Sequence, residues 1–230
     1  MKRSIKKDQQ KPRHIFVDEI SKMMHENADF FESKAGETFA EVVGLINDAI
    51  DLMGFFVESK EMKECYVKFA VAHYVHHVLC PLSYAMVIDL LTTNLVACFM
   101  ELRLIVESLV KCYCADLKYP NQTFFQEKIR LLNEEMREQR ISTSKLIKKC
   151  RKDAIGLWGR LSEGWLHTKG IVDRIVKEIS HKSELPAWPL VMPITYTDTE
   201  LDVLEELRRN VLEFRRLLKA VMEDWKKRFY

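Results

Sequence analysis

The chain reads as an all-α protein: a single multi-helix antiparallel bundle ending in a long, heptad-patterned C-terminal helix. Three observations predict this. Apolar residues recur at helical spacing along most of the length, with no convincing stretch of two-residue alternation. Glycine (7) and proline (6) are scarce among the 230 residues, as short links between helices require. The segment Asn94–Ala115, NLVACFMELRLIVESLVKCYCA, is apolar on nearly every side. A helix of that kind belongs inside a bundle. Only Glu101, Arg103, Glu107 and Lys111 charge it, and the last three are spaced by four, on one stripe.

Taken in order, residues 1–13 form a basic polar tail, expected to be disordered. Ile15–Phe31 follows helical periodicity, and Gly36 is expected to separate it from a second helix, Glu37–Glu58. That helix presents Phe39, Val42, Val43, Ile46, Ile50, Met53 and Val57 on one face, like one arm of a helical hairpin. Glu61–Leu79 predicts a third helix, kinked or interrupted at Pro81 and continued by Leu82–Leu91. Thr92, Thr93 and Asn94 supply capping chemistry for the central helix, which should end near Lys118, before Tyr119-Pro120. Asn121–Arg140 is charged, with Phe124, Phe125, Ile129, Leu132 and Met136 on one side. Ser142, Thr143 and Ser144 offer a new cap, and Lys145–Thr168 predicts one continuous helix containing Trp158 and Trp165. Lys169-Gly170 is a stop, with a further helix at Ile171–Ser180.

Residues 183–198 hold Pro186, Pro189 and Pro193 between apolar side chains, and predict an extended loop lying across the core. Residues 199–230 form the last helix. Its Leu204, Leu207, Val211, Phe214, Leu218, Val221 and Trp225 alternate by three and four, a heptad seam. Leu201, Leu217 and Met222 widen the stripe, which favours packing inside a bundle; the seam is also the expected surface for a homodimer. Residues 14–230 therefore read as one domain.

Composition bounds the function. Hydrophobic residues (47%) suffice for a sizeable core, and 36 basic against 34 acidic side chains leave a net charge of +2. Nothing so balanced is drawn as a whole to nucleic acid or membrane, so any basic site must be local. The six cysteines lack a framework spacing, and MKRSIKKDQQKPR carries no apolar signal core. They read as reduced, mostly buried thiols of a cytoplasmic protein. Phe69–Ile88 is uncharged and about long enough to span a bilayer. His73, His76, His77 and Pro81 interrupt it and Asp89 closes it, so no membrane span is expected.

Arg160 and His167, in RLSEGWLH, are the first candidate site. On a continuous helix, seven residues return side chains to nearly one face, about 10 Å apart along the axis. Arginine can hold phosphate through its fork of donors, and neutral histidine can take a hydroxyl proton near pH 7. Together they suit metal-free RNA cleavage by an internal 2′-hydroxyl. Trp158 and Trp165 flank the segment and could stack on bases or pack in the core. An arginine, a short spacer and a histidine within an all-helical domain resembles the HEPN superfamily motif. The resemblance, over roughly residues 70–180, implies a helical bundle, often dimeric, with paired motifs forming a ribonuclease site. Many members act as toxins or in antiviral defence. Arg174 and His181, in RIVKEISH, fit the same loose pattern.

Two further constellations stand beside it. His73, His77 and Cys80 are spaced by four and three, one face of a helix, and offer ligands for zinc or another transition metal. Arg103 with Glu107 is either a buried ion pair supporting a site or a half-exposed bridge to a neighbouring helix. Three functions follow as expectations: a HEPN-like ribonuclease or RNA-binding protein without cofactor, a non-catalytic helical interaction protein that dimerises, and a metal-binding bundle.

Overall fold

The computed structural model describes residues 13–58, 66–167 and 195–230. The basic tail up to residue 12, the helix expected at 171–180, most of the Pro-rich loop, Cys65, Arg174 and His181 lie outside these residues. Among the described residues there is no strand. Helix α1 is Arg13–Phe30, and a π-helical turn, Phe31–Ala35, runs directly into α2, Gly36–Glu58. Gly36 does not separate them. Its φ of −56° and ψ of −35° are helical, and the π turn absorbs the change of register.

Helix α3, Ala70–Tyr74, passes through a second π turn, Val75–Leu79, into α4, Cys80–Leu91. Pro81 therefore does not break the segment. It sits at the start of α4, where the widened turn closes through Cys80 N–H donating to Val75 O, and no donor is demanded of the proline. Among the described residues this helix starts at Ala70, after a turn at residues 66–68, and Glu61 lies outside them. Ala70–Leu91 is thus one rod of 22 residues, long and apolar enough by length and composition to cross a membrane.

The central helix is α5, Leu95–Lys118, as expected. Leu102, Ile105, Val106, Leu109 and Val110 are fully buried, and α3, α4, α9 (Leu201–Phe229) and the helices between α5 and α9 pack around it. Those are α6, Phe125–Glu138, α7, Thr143–Cys150, and α8, Ile155–Trp165. Ser142 caps α7 by accepting Lys145 N–H. The single helix expected from Lys145 to Thr168 is broken: Arg151 leaves helical geometry (φ −146°, ψ 80°), and a 3-10 turn, Lys152–Ala154, redirects the chain. The break turns α7 and α8 separately onto α5.

Sequential neighbours α4 and α5 form an antiparallel hairpin, and α8 lies antiparallel to α5 and α9. Helix α9, entered through a capping box at Thr197 and Glu200, instead runs parallel to α2, with Thr38 bonded to Leu204 and Phe56 packed on Trp225. All seven seam residues of α9 are buried within this one chain. The stripe offered for a dimer is spent on the core.

One ion pair organises the centre. Asp116 on α5 and Lys128 on α6 meet at 2.9 Å with no exposed side-chain surface. The carboxylate also accepts the Ala70 and Val71 N–H groups and Trp225 Nε1–H, at 3.0 to 3.1 Å. It therefore caps the N-terminus of α3, whose own N-cap, Phe69, supplies no side-chain bond. Nearby, Cys114 and Cys150 are joined as a disulfide. This corrects the expectation of reduced thiols throughout: α7 packs on α5 and carries Cys150, its last residue, to Cys114. Cys80, Cys98 and Cys112 are free.

Candidate functional site at the α5–α8 junction

Antiparallel packing of α8 on α5 sets their polar residues side by side. Arg103 and Glu107, four apart on α5, bond each other at 3.1 Å, with about a quarter of each side chain exposed (21% and 26%). Arg103 Nε–H donates to Ser162 Oγ at 3.1 Å, and Trp158 Nε1–H donates to Glu107 Oε2 at 3.2 Å. The guanidinium also lies 5.5 Å from the centre of the Trp158 ring. The pair is thus a half-buried bridge between helices, the second of the two readings of Arg103 and Glu107. Its ladder is sealed at one end by Phe99 stacked on Trp165, ring centres 3.7 Å apart.

Arg160, midway along α8, and His167, past its end, are both exposed. Arg160 points to α9 and pairs with Glu213, each about half exposed. His167 is not on the helix. Helix α8 ends at Trp165, and the backbone folds back so that His167 N–H donates to Ser162 O at 3.1 Å. The continuous face assumed for the two residues therefore stops two residues short. Ser162, which is buried, links Arg103 to the His167 backbone: its hydroxyl receives Arg103 and its carbonyl receives the His167 N–H. Sequence reasoning passed over this serine, although it stands inside RLSEGWLH. Its signal was position: two residues after Arg160 on an amphipathic helix places it toward the core.

The histidine trio falls elsewhere. His73 stacks on Phe125 (3.4 Å between ring centres) and on His77 (5.5 Å). Both its ring nitrogens are buried without hydrogen-bond partners, and burial, aided by the charges of His77 and His76, lowers its pKa to about 4. The π turn between His73 and Cys80 adds a residue to the repeat and rotates Cys80 off the face that α-helical spacing predicts. Among the described residues no three His, Cys, Asp or Glu side chains converge as a metal site.

An acidic pair lies on another side of α5. Glu101 on α5 lies beside Asp89 on α4. Burial, then the Asp89 charge and a hydrogen bond shared with it, raises the Glu101 pKa to about 8. Set against known protein families, curated proteins and solved structures, the chain matches none of the three.

Proposed function

We propose that the chain is a HEPN-like ribonuclease or RNA-binding protein of the defence or toxin type, acting without a metal at the end of α8. The observation that supports this reading is Ser162, which takes Arg103 of α5 on its hydroxyl and the His167 N–H on its carbonyl. Arg160 would exchange its Glu213 partner for a phosphate oxygen, since a half-exposed surface pair is worth only about 0–1 kcal/mol. His167, exposed past the end of α8, would take the proton from a ribose 2′-hydroxyl. The 2′-oxygen then bonds to phosphorus, the bond to the 5′-oxygen breaks, and solvent protonates the leaving oxygen. Arg103, held by Glu107 and Ser162, is a positioning residue that fixes the backbone from which His167 projects.

The test is incubation of the purified chain with total RNA, beside His167→Ala and Arg160→Ala. Loss of the histidine should slow cleavage by about 10²–10⁴-fold. No cleavage by the parent, or equal cleavage by the variants, ends the reading. A non-catalytic interaction protein is the second reading, favoured by large apolar side chains left exposed on the α4–α5 hairpin. It requires that the chain leave RNA intact and associate with protein.

A further inference from the structure

Only 33% of the most apolar stretch of Ala70–Leu91 is buried. On α4, Tyr84 (49%) and Ile88 (57%) are exposed; on α5, Val96 (39%), Met100 (41%) and Leu104 (44%) are. Steps of four place each set on one stripe. Handedness places both stripes on the same side of the hairpin. Asp89 and Glu101 follow Ile88 and Met100 by one residue, and they meet between the two helices. A right-handed helix turns about 100° per residue. In an antiparallel pair, the residues just before two that face each other then emerge on a common side. The acidic pair lies on the floor of the seam between the stripes. Glu101 Oε2 is buried there with no hydrogen-bond partner, while Asp89 Oδ1 accepts the Asn94 amide at 3.1 Å.

We propose that this face binds a second copy of the chain, stripe against stripe about a twofold axis, forming a four-helix layer from two hairpins. Area supports that occupant. The five side chains leave on the order of 400 Å² of apolar surface open, the size of the largest patch on a typical monomer, which is often functional. The hairpin is about 30 Å by 20 Å, a footprint approaching the roughly 800 Å² per partner that a stable dimer covers. The stripes themselves carry no charge of either sign, the acidic pair lying in the seam between them, so stripe can meet stripe without like-charge contact. A bilayer fits less well. It would want basic residues beside the apolar stripe, and neither stripe carries one. The inference stands whether or not the chain cuts RNA.

Light scattering of the full chain from about 1 to 100 µM tests it, with circular dichroism as a check on folding. The parent should reach twice its 27.1 kDa mass. Ile88→Glu with Met100→Glu should weaken dimerisation about a hundredfold or more by setting like charges together. Tyr84→Ser with Leu104→Ser, which adds no charge, should weaken it less. A parent that stays monomeric throughout, or folded variants that associate like the parent, overturns the proposal. So does a monomer that binds phosphatidylcholine vesicles, which would assign the face to lipid.

Discussion

Asp116 carries more of the structure than any other single polar side chain described. It neutralises Lys128, caps α3 from 46 residues away, and receives the Trp225 indole from α9. Asp116→Ala would strand a buried ammonium and two helix N–H groups, and should cost about 3–5 kcal/mol in urea unfolding. Asp116→Ala with Lys128→Met removes both charges and should recover a part of that loss, measurable as a coupling energy. Nothing near Asp116 in the sequence marks it, because each partner arrives from another helix. Glu101 gives a residue-scale test in pH. In the folded chain it holds its proton to about pH 8, against a usual value of 4.5, so the native state binds the extra proton between those values. Stability from this group is therefore full below 4.5 and is lost as pH rises toward 8. His73 acts oppositely, adding stability as pH rises from about 4 to its usual 6.5. From pH 6.5 to 8 only the decline remains, and Glu101→Gln should flatten it in urea midpoints taken across that range.

At the scale of elements, the two π turns explain why apparent breaks are continuous. Gly36 and Pro81 are ordinary stop signals, yet each follows a turn that has already widened. Arg151 is the converse: a residue with no breaker chemistry ends a helix because α7 and α8 must pack separately. The α2–α9 contact depends on a different device. Arg215 bonds Asp48 at 2.6 and 3.1 Å and Glu41 at 2.5 Å, and its guanidinium lies over Gly44. A Cβ on Gly44 would meet Arg215 Nη1 at 2.5 Å. Gly44→Ala should therefore destabilise the parent by roughly 1 kcal/mol, despite the better helix propensity of alanine. In an Arg215→Met background the sign should reverse, to a gain of up to about 1 kcal/mol in thermal or urea unfolding.

For the whole molecule, α9 is the element whose role the tertiary structure reassigns. Its seam is closed against α2, α5 and α8 inside one chain. Val211→Asp with Leu218→Asp would bury two unpaired carboxylates, each costing several kcal/mol against a total stability of about 5–15 kcal/mol. The expected result is loss of the helical circular-dichroism signal, not a folded monomer. A folded monomer would show instead that the seam joined two copies.

Helical periodicity, scarce breakers and one segment apolar on all sides were enough to determine an all-α bundle with an inner rod at residues 95–118. These are local or averaged properties, legible without knowing which helix touches which. The candidate site was legible only as fragments: RLSEGWLH, and the Arg103–Glu107 pair. That they share Ser162, that Glu213 holds Arg160, and that His167 lies past the helix end depend on how α8 crosses α5 and α9. The same holds for the Cys114–Cys150 bond, the cap from Asp116, and the open face of the α4–α5 hairpin. Sequence periodicity tells which side of a helix is apolar; only packing decides which apolar sides find partners within the chain and which are left for another.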